Sequence, residues 1–371
     1  MHVRTTAAAG FAVLATLATA SSADAHTPDR VTAEVTGTTL AITGTDRGDA
    51  IRLDVRHDEL RVGIRGRDPR FPLAAIEQVT IAPGGGDDTV EIEGSDEAEF
   101  ADLLAFGGTT FVLGMPVFTQ LDGVEAGDTL VLDAEGGDDV VSASSLPAGV
   151  LGLVLDGDEG DDELTGTRGA DLLLGGDGDD FAIGRAGDDV ARLGGGDDIF
   201  RWDPGEGSDA VEGGRGHDAL SFLGSGDAER VDVRAVGRDV RLTRDVGAIV
   251  MDLGGVERIS TFLQAGADAA TIGDLSGTPM TGSDWSLGAL DGAPDTLAVD
   301  GTRRADVFAI TGGVQNPQGT STSAEIRGIP ASVLVTGVQH DDALALNGLG
   351  GEDTLDDSGL IPGGFALTFT Q

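Results

Sequence analysis

GDEGDDELT (157–165), GTRGADLLL (166–174), GGDGDDFAI (175–183), GRAGDDVAR (184–192) and LGGGDDIFR (193–201) follow one another without a gap. All five nonapeptides carry Gly at the fourth place and Asp at the sixth, the latter being Asp162, Asp171, Asp180, Asp189 and Asp198. After Trp202-Asp203 the rhythm resumes as PGEGSDAVE (204–212) and GGRGHDALS (213–221), which adds Asp209 and Asp218. A fixed short period marks a solenoid, in which each unit packs only on its neighbours.

Six residues rich in Gly and Asp make a turn, because Gly permits positive φ and close backbone approach. The other three form a short strand whose middle side chain points inward. The inward places are Leu164, Leu173, Ala182, Ala191 and Phe200, then Val211 and Leu220, and the core is thin at the two alanines. With two nonapeptides per coil, Asp162, Asp180 and Asp198 stack on one edge and Asp171 and Asp189 on the other. Stacked carboxylates repel unless a cation lies between them. Carboxylates and turn carbonyls are hard oxygen donors, which suits Ca²⁺ with its six to eight ligands. The seven aspartates are thus the expected side-chain ligands, with Gly160, Gly169, Gly178, Gly187 and Gly196 as candidate backbone carbonyl ligands. A site needs two stacked turns, so about three firm sites are expected and up to five if Trp202-Asp203 bulges out without shifting the stack. His217 is expected in the turn as an exposed side chain, not a ligand.

An acidic linker or a halophilic surface would also be rich in Gly and Asp. Neither would confine Asp to one place of a nonapeptide with an apolar eighth place. The repeats resemble the RTX (haemolysin-type) calcium-binding pattern G-G-x-G-x-D-x-U-x, with U a large apolar residue. The resemblance implies an all-β protein with a right-handed parallel β-roll that binds Ca²⁺.

The organisation expected is a leader at 1–25, a β-rich flank at 26–156, the roll at 157–221 and a second β-rich flank at 222–371. Both flanks alternate apolar and polar residues with period two, as in Val79-Thr80-Ile81 and Val231-Asp232-Val233. LAITGTDRGDAIRL (40–53) is similar to LAVDGTRRADVFAI (297–310), so the second flank partly duplicates the first. Single turns of the same style at Asp88, Asp139 and Asp353 have no repeat beside them, and sequence leaves open whether they bind metal.

Net charge is −42 and the isoelectric point about 4.1, a field that repels nucleic acid and anionic membrane. There is no cysteine, so disulfides and thiol catalysis are excluded, and zinc is disfavoured. A weakly basic start, the apolar run Ala7–Ala20 and Ala23-Asp24-Ala25 read as a secretory leader cleaved after Ala25. A secreted or cell-surface location follows, with no membrane insertion. Many RTX proteins leave by a C-terminal signal, so this leader departs from that part of the resemblance.

No H-E-x-x-H is present, and no G-x-S-x-G, which argues against the zinc-protease and lipase chemistries. Carboxylate pairs abound, so an enzyme acting on extracellular polysaccharide with a calcium-stabilised solenoid is the alternative to a non-enzymatic calcium-binding protein. No catalytic residue or organic cofactor is assigned.

Overall fold

The structure, a computed structural model, describes residues 29–288, 292–312, 322–339, 341–360 and 365–371. The leader and its cleavage site at Ala25 lie outside them. No helix is long and apolar enough to cross a membrane among the described residues.

Among the described residues, successive strands are dealt to two sheets, one of 17 strands and one of 16, in alternation except where hairpins and meanders keep neighbours on one sheet. In the repeat block, Glu163–Thr165, Phe181–Ile183, Ile199–Trp202 and Ala219–Leu223 stack in parallel on one side. Gly152–Glu159, Asp171–Asp177, Val190–Gly195 and Ala210–Arg215 do so on the other. Registered partners are 18 residues apart, so two nonapeptides make one coil. Leu164, Ala182, Phe200 and Leu220 form one interior file, and Leu155, Leu173, Ala191 and Val211 the other. Every one of these side chains is buried.

The step lengthens to 20 residues at Trp202-Asp203 and the stack keeps its register. The expected outward bulge is corrected at Trp202, which turns into the core. Its ring stacks on Phe222 at 4.4 Å and its indole N–H donates to the Gly207 carbonyl at 2.9 Å. An indole buries more apolar area than any other side chain once its N–H is satisfied. Bulk missing at Ala182 and Ala191 is thus supplied one coil further on.

The same sheets run on through both flanks. Leu53, Ile92, Leu132 and Leu155 form one continuous file, and the strand Gly152–Glu159 spans the start of the repeat block. Four coils are long because each carries a three-stranded antiparallel meander. The first three are Ala50–Arg56 to Arg70–Pro72, Phe100–Phe106 to Thr119–Asp122, and Arg230–Val236 to Ile249–Gly254. The fourth is Val307–Gly312 to Ser332–Val338. A meander adds two strands to one sheet only, which would wedge the stack open. The four fall on alternate sheets, two to each, so the sheets stay within one strand of each other. The similar stretches 40–53 and 297–310 both run strand, turn, strand, but they start from opposite sheets.

The register assigns opposite roles to two phenylalanines. Phe200 is fully buried whereas Phe106 is 80% exposed at a meander tip. Phe200→Ala is expected to cost about 3–5 kcal/mol in calcium-saturating buffer, and Phe106→Ala less than about 0.5 kcal/mol. Denaturant titration of the two variants checks the difference.

Candidate metal centre

Each repeat turn closes around its sixth-place aspartate. At Gly175 a Cβ would lie 2.3 Å from Asp180 Oδ2, so the first place of that turn must be bare. At the fourth place Gly178 has φ 144°, and a Cβ there would lie 2.0 Å from the Gly160 carbonyl oxygen of the coil before. The turns are therefore in backbone contact from coil to coil. Gly160, Gly187 and Gly196 share the positive φ, whereas Gly169 does not.

The sixth-place aspartates form ladders. The Asp162 amide donates to Asp180 Oδ1 at 2.9 Å, Asp180 to Asp198 at 2.9 Å and Asp198 to Asp218 at 3.1 Å. On the opposite edge Asp171 donates to Asp189 at 2.8 Å and Asp189 to Asp209 at 2.9 Å. The two edges group the aspartates as two nonapeptides per coil require. The first ladder extends upstream, since the Asp139 amide donates to Asp162 Oδ1 at 2.8 Å.

A second ladder escaped the sequence reading. The fifth-place aspartates form an outer row with the bonds reversed: Asp179 N–H to Asp161 at 2.8 Å, Asp197 N–H to Asp179 at 2.7 Å. Its sequence signal is the repeated Asp-Asp doublet. His217 donates its amide into this row, and its ring is exposed.

One oxygen of each rung is thus used by an amide. The other, Oδ2, is buried without a hydrogen-bond partner in Asp139, Asp162, Asp180, Asp189, Asp198, Asp209 and Asp218. Asp88 and Asp353 share this state; Asp171 does not. Burial pushes the carboxyls up, against the pull of the ladder amides, and neighbouring carboxylates push them further. Asp180 and Asp189 rise to about 7, and Asp209 to about 8. Such oxygens lack a positive partner, which is the condition a hard cation satisfies. The residues therefore fit Ca²⁺, for which the Oδ2 atoms and turn carbonyls would be the donors.

A separate carboxylate group, Glu91, Glu93 and Asp133, lies together on the other face of one sheet. Arg52 and Arg56 already neutralise Glu93 there.

Parallel coils edged by carboxylates that call for a hard cation define a calcium-binding β-roll. The family model of the RTX calcium-binding nonapeptide repeat matches residues 156–191, 174–201 and 205–221, so this block carries RTX calcium-binding repeats. No curated protein matches the chain. Among solved structures, the extracellular lipase LipA from Serratia marcescens is similar at 15% identity, over 61% of this chain and 43% of that one, with a TM-score of 0.15. The chain spans less than half of that lipase, and so low a score carries no argument about activity.

Two glycines at the same repeat place are expected to respond differently to alanine. Gly178→Ala meets both the carbonyl and a φ reserved for glycine, and should cost at least ~2 kcal/mol. At Gly169 a Cβ meets nothing nearer than 3.5 Å, so Gly169→Ala should stay within about 1 kcal/mol. Thermal unfolding at saturating calcium compares them.

Proposed function

We propose that this is a non-enzymatic, exported calcium-binding protein whose repeat block, 157–221, folds on binding Ca²⁺. The observation that carries the reading is the file of buried Oδ2 atoms without partners along both edges of the block. Without metal, like charges approach one another in poorly solvated turns, and the Gly-rich chain loses much entropy on ordering. Calcium binds the coil and not the open chain, so its binding free energy becomes folding free energy. At free calcium ~100 times the dissociation constant each site adds roughly 2.7 kcal/mol. Export is supported by the leader-like residues 1–25, and the flanks, with longer strands and more apolar files, hold structure with less help from metal.

The test uses the chain from His26 onward. Far-ultraviolet circular dichroism in chelator should show reduced β signal that calcium restores and magnesium restores far less. A spectrum indifferent to calcium would sink the coupling. Asp180 lies between two rungs on its edge, whereas Asp171 begins its ladder. Asp180→Ala is therefore expected to remove more bound calcium than Asp171→Ala, read by isothermal titration. Turnover of acidic polysaccharides by the calcium-loaded protein would instead establish the enzyme alternative.

A further inference from the structure

Among the turns that line the solenoid and end on aspartate, two kinds differ at the second place. In the turns that leave Oδ2 without a partner, the second residue is left-handed: Asp158 has φ 67°, Gly176 129°, Arg185 74° and Gly194 110°. In three other turns it is threonine, which is not left-handed. Thr167 donates its amide and its hydroxyl to Asp171 Oδ2, at 2.5 and 2.9 Å. Thr45 does the same to Asp49 at 2.7 and 2.8 Å, and Thr302 to Asp306 at 2.6 and 3.1 Å. These turns leave neither carboxylate oxygen over among the described residues.

The physical cause is local. A β-branched residue strongly resists positive φ, so threonine holds the second place in the other conformation. There its N–H and O–H face the sixth-place carboxylate and take the position that a cation would otherwise fill. The fourth-place backbone follows: Gly169 keeps an ordinary φ, whereas Gly137 in the turn 134–139 is left-handed at 117°.

We propose that the second-place residue decides whether a turn takes calcium, so that Thr167 closes the turn 166–171 to the ion while the turn 134–139 is open to it. This rests on the calcium reading above. It removes the Asp171/Asp189 pair from the sites expected by repeat counting. It adds a pair outside the matched repeats, Asp139 with Asp162. Asp139 is buried with a partnerless Oδ2, its second-place residue Glu135 is left-handed at 65°, and its amide bonds the next rung.

Calcium stoichiometry of the chain from His26 onward tests the proposal by isothermal titration. Thr167→Gly turns GTRGAD into GGRGAD and should bind one calcium more than the unaltered protein. Thr167→Ser keeps the hydroxyl and should leave the number unchanged. A folded Thr167→Gly protein with no added site, or a gain in Thr167→Ser, overturns the proposal. If Thr167→Gly does not fold, Asp139→Asn decides: a loss of one calcium supports it and an unchanged number overturns it. Absence of calcium binding by the unaltered protein would instead be a failure of the calcium reading itself.

Discussion

The solenoid depends on one repeated bond, the amide of a turn aspartate donating to the carboxylate of the aspartate one coil later. A charge-assisted hydrogen bond of this kind is about twice as strong as a neutral one. It also fixes register, because the donor and acceptor are the same residue type at the same repeat place. A slip by one residue would leave a buried amide and a buried carboxylate unpaired together. The outer row of fifth-place aspartates repeats the bond in the opposite sense, from the following coil to the preceding one. Each Asp-Asp doublet thus ties its turn to both neighbours.

This bond shows how a chain with net charge −42 can stack acidic residues at close range. Amide dipoles neutralise one oxygen per rung and leave the other without a hydrogen-bond partner in most rungs of the repeat block. Where a positive side chain is at hand the structure uses it. Arg244 lies over the Trp202 ring at 5.4 Å, pairs with Glu229, and shares that carboxylate with Ser225. Burial alone would raise the Glu229 carboxyl, but the Arg244 and Ser225 bonds outweigh it and bring it below its usual value. In the repeat turns the Oδ2 atoms of Asp162, Asp180, Asp189, Asp198, Asp209 and Asp218 have no such hydrogen-bond partner among the described residues.

Much of the fold was legible because nine-residue periodicity leaves little freedom: the inward files at Leu164, Leu173 and Phe200 and the two-edge grouping of aspartates follow from spacing. What escaped notice has identifiable causes. Trp202 interrupts the repeat, and an interruption suggests a bulge; only the partner at Gly207 shows why the indole goes in. The meanders could not be read because period-two alternation marks a strand and says nothing of which sheet receives it. Thr167 stands at a place that the repeat pattern gives to Gly. Its meaning depends on φ, which a consensus pattern does not express.

The ladders also have ends, and the ends explain where threonine and serine fall. An inner rung accepts an amide from the coil before, but a first rung has no such donor. Asp49, Asp171 and Asp306 stand at these starts and take a hydroxyl and an amide from their own turn instead. The last rungs have the complementary problem, an amide with no carboxylate beyond it. Asp128 gives its N–H to the Glu125 carbonyl at 3.0 Å and takes the Glu125 N–H on Oδ2 at 2.7 Å. Asp342 makes the same reciprocal pair with Gln339, at 3.2 and 2.6 Å. The logic is that of helix capping, in which side chains satisfy the backbone groups that the regular pattern leaves over. Ends closed by the chain's own donors, as at Asp49, Asp171 and Asp306, leave no carboxylate oxygen over, whereas the rungs that follow them, Asp88, Asp189 and Asp353, keep a buried Oδ2 without a hydrogen-bond partner.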